Sequence, residues 1–132
     1  MWDIFHYNSN KEVVKMNGYE IMVYAKIDNS EPVTEFLLSL PSKMQAKVLR
    51  QIDMLAEFGN QLREPYSAPL EGGIFELRIK QGSDISRVLY FFFVGNKIIL
   101  TNGFVKKTRK TPPEQIRLAK AYREDYLKRT KE

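Results

Sequence analysis

Cysteine is absent from this chain and histidine occurs once, at His6. Without cysteine there are no disulfides, thiolate nucleophiles, iron–sulfur clusters or Cys-based zinc sites, and one histidine excludes a multi-histidine metal site. Long apolar runs are also missing: none approaches the eighteen or so residues of a membrane span. The start, Met1-Trp2-Asp3-Ile4-Phe5-His6, lacks the basic and apolar stretches of a secretory leader, which predicts a cytoplasmic protein. What remains for chemistry is Arg, Lys, Tyr, Asp, Glu and hydroxyl groups, with no metal or other cofactor expected.

The 132 residues, 43% apolar and 12% aromatic, predict one globular domain large enough to bury a core. The net charge of +5 is unevenly placed. Residues 1 to 60 balance at −2 and residues 61 to 132 at +7. Positive charge concentrated in one half attracts a polyanion, and nucleic acid is the commonest inside a cell. The plain alternative is a solvated surface that keeps the protein soluble.

Trp2, Ile4, Phe5 and Tyr7 suggest a short first strand, with Asn8-Ser9-Asn10 as a turn. Tyr19 to Ile27 is rich in β-branched and aromatic residues and reads as the first main strand. Ser30, before Glu31-Pro32, is placed as the cap of a helix carrying Val33, Phe36, Leu37 and Leu40 on one face. Ser42 with Gln45 reads as a capping box for a second helix, striped by Met44, Val48, Ile52 and Leu55 up to Gly59. Leu38, Leu49 and Met54, with Met44, are surplus apolar positions that suggest a second buried surface on these helices.

Asn60 to Gly72, with two prolines, is expected to be a loop. Three strands in a tight antiparallel meander follow, at 73–80, 86–94 and 97–105. Thr111 with Glu114 around Pro112-Pro113 reads as the capping box of a last helix to about Arg129, striped by Ile116, Ala119, Tyr122 and Tyr126. The expected class is α+β: a twisted, mainly antiparallel sheet with the helices packed on one face.

Two clusters carry candidate chemistry. In the first strand of the meander Phe75, Leu77 and Ile79 alternate with Glu76, Arg78 and Lys80. With Arg87 on the next strand, Arg78 can present a second guanidinium suited to forked bonds to a phosphate. The second cluster is Lys106-Lys107-Thr108-Arg109-Lys110, preceded by Phe104, an aromatic placed to stack on a base. Tyr90 joins the RNA-binding candidates, although its alternation groups it with Val88 rather than Arg87. Charges on a half-exposed strand and in a solvated loop are the plain readings of both clusters. Neither forms a P-loop, a dinucleotide-binding glycine pattern or a catalytic triad.

Gly73-Ile74-Phe75-Glu76-Leu77-Arg78, Ser86-Arg87-Val88-Leu89-Tyr90-Phe91, Gly103-Phe104-Val105-Lys106-Lys107-Thr108-Arg109-Lys110-Thr111-Pro112 and the helix from Glu114 through Ala119 together resemble the HigB-type toxins of the RelE superfamily. The resemblance spans residues 19 to 129 and leaves 1 to 18 as an extension of the single toxin domain. It implies the RelE-like fold and the toxin of a type II toxin–antitoxin pair. Such a toxin is an endoribonuclease (mRNA interferase) that cuts messenger RNA on the ribosome and blocks translation. The partners implied are mRNA, the ribosome and a cognate antitoxin, expected to be a HigA-like helix-turn-helix protein in a hetero-oligomer with the toxin, and no membrane.

By the same resemblance Arg78, Arg87 and Lys106 or Lys107 stand where the family carries its RNA-cleaving basic residues. Glu76 is acidic where some members have lysine. Cleavage through the ribose 2′-OH needs a proton acceptor, and Glu76, ionised at neutral pH, is the candidate base. Lys80, Phe104, Arg109, Lys110 and Tyr90 are the RNA-binding candidates. The alternative reading is a non-catalytic RNA-binding module using the same basic strand face.

Overall fold

The computed structural model describes residues 18–130. The short strand and turn expected between Trp2 and Asn10, and His6, lie outside the described residues. Five strands and three helices follow in the order β1 (Glu20–Val23), α1 (Pro32–Leu38), α2 (Ser42–Phe58), β2 (Ser67–Pro69), β3 (Phe75–Gln81), β4 (Asp84–Phe93), β5 (Lys97–Val105) and α3 (Pro113–Thr130). The class is α+β, consistent with a RelE-like fold.

The sheet order is β1-β5-β4-β3-β2. Strands β2 to β5 pair antiparallel, and β1 joins β5 in parallel. The meander is as expected because its connections are tight. The expected loop between Asn60 and Gly72 contains the edge strand β2. Three residues ending in proline carry no alternation to read, and a proline is tolerated at an edge where no ladder donor is needed. The strand expected at 19–27 stops at Val23, where the chain turns through Asn29 at φ 73 and Asp28 accepts bonds from the Ser30 amide and hydroxyl.

Helices cover both faces of the sheet, not one. Val33 and Leu37 of α1 and Met44, Val48, Ile52 and Leu55 of α2 bury against Leu77, Ile79, Val88, Tyr90, Ile98 and Leu100. On the other face Ala119 of α3, with Tyr122 and Tyr126, packs on Leu89, Phe91, Ile99 and Phe104. The reason is the alternation within β4: Val88 and Tyr90 point one way, Leu89 and Phe91 the other, so both faces are apolar and both need cover. Met44, taken as surplus on the sequence, is core at 3% exposure, whereas Leu38 is 48% exposed.

The three expected helix caps all bond elsewhere. Ser30 joins the Asp28 turn, and α1 starts at Pro32 after Glu31, whose carboxylate accepts from Thr34. Ser42 is already helical, and Gln45 donates across to the Leu37 carbonyl at the end of α1. Thr111 donates to Glu76 rather than capping α3. Local spacing names a capping-competent residue, but another acceptor, local for Ser30 and distant for Thr111, competes for the same hydroxyl.

Candidate RNA-binding cleft

Pairing of β3 with β4 places Arg78 directly opposite Arg87, and Glu76 opposite Leu89. Side chains directly opposite on one face of a sheet are neighbours, so the two guanidiniums share the α3 face. Like charges in that position repel, and the carboxylate of Glu76 offsets this. Its Oε2 accepts from Arg78 Nε at 2.9 Å, its Oε1 accepts from the Thr111 hydroxyl at 2.5 Å, and Arg87 Nε lies 3.4 Å from Oε1. Glu76 is buried, at 3% exposure.

The Arg87 contact is an ion pair without hydrogen-bond alignment, since Nε is buried with no hydrogen-bond partner. Its Nη1 donates to the Ser86 carbonyl at 3.3 Å. Burial lowers the Arg87 pKa from its ordinary value, with the neighbouring Arg78 adding to the effect and Glu76 opposing it. A guanidinium held out of water beside a second one gains from an anion that approaches both.

These side chains line an open cleft of about 350 Å³ together with Lys106, Arg109 and Lys110 from the β5–α3 connection. Its walls carry five cations against the carboxylates of Glu71 and Glu76. The connection is held in place by Thr111 on Glu76 and by the Lys106 amide on the Ile85 carbonyl. Buried Asn102 fastens the start of α3, donating to the Gln115 carbonyl and side-chain oxygen. The opposite wall, Pro69 to Glu71, is gripped with the following Gly72 from α3, by Lys120 on Glu71 and Arg123 on the Gly72 carbonyl, each at 2.5 Å.

The structure thus brings together Glu76, Arg78, Arg87, Lys106, Arg109 and Lys110. Lys107 is exposed and outside the cleft, which distinguishes it from Lys106. Lys80 is exposed near the end of β3, also outside. Two aromatic expectations are corrected. Phe104 is 9% exposed and packs in the α3-side core, so it presents no free face to a base. Tyr90 is 1% exposed and lies on the opposite face of the sheet from Arg87, its hydroxyl 2.5 Å from that of Ser67. Burial raises its pKa.

Thr111, Leu70 and Glu71 line the cleft without having been named for it from sequence. Thr111 reads there as a helix-cap signal, and nothing local shows that Lys120 and Arg123, some fifty positions on, hold the Glu71–Gly72 segment.

The fold and site together define an α+β protein with a preformed cleft of clustered arginine and lysine side chains. Residues 35–124 match the family described as Phage derived protein Gp49-like (DUF891). The chain belongs to this phage-derived Gp49-like family, a toxin-like family related to the RelE/HigB-type toxins and associated with toxin–antitoxin pairs. No curated protein matches the chain. Among the described residues no helix is long and apolar enough to cross a membrane.

Proposed function

We propose that the protein is the toxin of a type II toxin–antitoxin pair and cuts messenger RNA on the ribosome in the cytoplasm, halting translation. The observation that carries this reading is the opposed pair Arg78 and Arg87, set by Glu76 in a cleft that also gathers Lys106, Arg109 and Lys110. The reaction proposed joins the ribose 2′-oxygen to the adjacent phosphorus, passes the 2′-hydroxyl proton to solvent water in the open cleft, and breaks the bond from phosphorus to the 5′-oxygen. Negative charge then builds on the phosphate oxygens, where two fixed guanidiniums stabilise it more than they stabilise the ground state. Lys106 adds to that field and is placed to give a proton to the leaving 5′-oxygen.

Glu76 enters differently from its first reading as a base. Both of its oxygens are engaged by a guanidinium or a hydroxyl, so its role is to orient the two arginines and tie the β5–α3 connection to the sheet. Arg109 and Lys110 hold flanking phosphates at the cleft, and Lys80 and Lys107 attract RNA from outside it. The cognate antitoxin, a helix-turn-helix protein, docks on the α1–α2 side, where Leu38 and Phe58 are exposed.

One observation favours the second reading, a non-catalytic RNA-binding module: the carboxylate beside the arginines has no free oxygen to take a proton. The experiment that separates the two is incubation of purified protein with translating ribosomes, followed by mapping of new mRNA 5′ ends. New ends support the toxin reading. Salt-sensitive RNA retention without new ends supports the binding module.

A further inference from the structure

A second cavity, also about 350 Å³, opens on the α2 side of the sheet and is lined by Leu62, Ser67, Pro69, Phe75, Tyr90 and Phe92. It lies on the opposite face of the sheet from the basic cleft, and the two meet at the edge strand β2, where Pro69 lines both. Arg78 links them as well. Its Nε is held by Glu76 in the cleft, while its Nη1 lies 3.9 Å from the carboxylate of Glu64 on the second cavity's wall.

The chemistry of the two spaces differs. The second is walled by aromatic rings, with Phe75 stacked on Tyr90 at 5.6 Å and meeting Phe92 edge-on at 5.3 Å. Its charged lining residues, Arg63 and Glu64, are of opposite sign, and Arg63 already donates to the Asn60 carbonyl. The two charges offset each other, so the lining lacks the clustered cations of the basic cleft.

Two hydroxyls, Ser67 and Tyr90, share one hydrogen bond in this lining. Either hydroxyl can be the donor, so the pair can turn its second proton toward a ligand in the cavity. A ligand that uses it must bring an acceptor atom into an aromatic slot. A hydrocarbon chain brings none, whereas a nucleobase brings ring nitrogens or carbonyl oxygens on a planar, stackable body.

We propose that this cavity receives one base of the RNA whose phosphate lies in the basic cleft, with the sugar–phosphate chain crossing the sheet edge at Pro69. The cavity then selects which base stands beside the phosphate that Arg78 and Arg87 hold. This inference rests on the reading of the cleft as the phosphate site.

The test uses the full chain and a short 2′-O-methyl RNA, which lacks the nucleophilic hydroxyl, so that binding is measured without cleavage. A set of the same oligonucleotide with a single abasic residue moved along it isolates each base. Removing the one base that enters the cavity is expected to weaken binding roughly 10-fold, in line with a lost base–aromatic stack. Asn60→Trp, a change at an exposed rim residue, is expected to block the cavity and bring the parent and that abasic oligonucleotide to equal affinity. Phe92→Leu is a second variant that shrinks the aromatic wall and should halve the difference or more, with thermal melts reporting the fold.

Equal affinity of the parent and every abasic form for the unaltered protein overturns the proposal. So does a base effect that survives Asn60→Trp undiminished. Arg78→Ala tests the underlying reading separately, because it should weaken all the oligonucleotides by one common factor. No weakening by Arg78→Ala overturns the cleft as phosphate site and this inference with it.

Discussion

Arg78 and Arg87 stand directly opposite each other on β3 and β4, and the carboxylate of Glu76 approaches both, 2.9 Å from one Nε and 3.4 Å from the other. Two like charges in register destabilise a sheet. The arrangement persists because one buried carboxylate serves both, and under the proposed function an RNA phosphate relieves the remaining repulsion.

Removal of that carboxylate should therefore be felt in stability. Glu76→Ala is expected to cost roughly 3 kcal/mol, because it leaves the mostly buried Arg87 uncompensated. Glu76→Gln loses the charge and keeps one acceptor oxygen, enough for Arg78 or Thr111 but not for both, and should cost about 1–2 kcal/mol. Urea melts of the three proteins check the order, and a Gln variant as stable as the parent contradicts it. The pH profile of cleavage should keep its shape in Glu76→Gln. Loss of its acidic limb would mark the carboxylate as a base instead.

The far end of α3 carries a titratable anchor. The Tyr24 hydroxyl donates to Asp125 Oδ2 at 2.6 Å, and Arg129 donates to the same oxygen at 2.7 Å. Arg129, then Tyr24, hold the Asp125 pKa below its ordinary value. The sign follows: the fold favours the ionised carboxylate, so its stabilising contribution is complete above the unfolded value of about 3.9 and is lost as pH falls through the lower folded value. Thermal melts of the parent should fall more steeply with acid in that range than those of Asp125→Asn. Parallel curves would contradict the anchor.

Close packing of α1 on the sheet depends on Gly103. A Cβ there would stand 2.4 Å from the ring of Phe36, and the ring is held between α1 and the core. Gly103→Ala should cost roughly 1–3 kcal/mol by overpacking. Paired with Phe36→Leu the loss should shrink, because the two changes share one contact. Additive losses in melts of the double variant would contradict this.

Much of the fold is legible in the sequence where periodicity is long. The stripe Met44, Val48, Ile52 and Leu55 placed α2 correctly, and the alternation from Phe75 to Lys80 placed Arg78 on the face it occupies. The two-sided cover of the sheet was written in β4, whose successive residues Val88 to Phe91 are all apolar, but a continuous apolar run does not say what covers each side. Strand β2 was illegible because three residues ending in Pro69 show neither periodicity nor turn chemistry. Of the site, Arg78, Arg87, Lys106, Arg109 and Lys110 were found from charge and spacing. Phe104 packs in the α3-side core and Tyr90 stands on the face opposite Arg87, outside the basic cleft, because an aromatic side chain in a continuous apolar run does not announce which environment it enters. Thr111 was identified for a bond it does not make, since its acceptor is 35 residues away in sequence.

The most direct test of the account compares Arg78 with Lys80, two cations on one strand of which Arg78 lines the cleft and Lys80 does not. Cleavage of mRNA on translating ribosomes, read as new 5′ ends, is measured for the parent, Arg78→Ala, Arg78→Lys and Lys80→Ala, with melts to confirm each fold. Arg78→Ala should slow cleavage by roughly 10²-fold or more. Arg78→Lys should recover only part, because lysine keeps the charge without the fork, and Lys80→Ala should cut nearly as fast as the parent at moderate salt. Equal, small effects from Arg78→Ala and Lys80→Ala in folded proteins would contradict the assignment of the cleft as the site of cleavage.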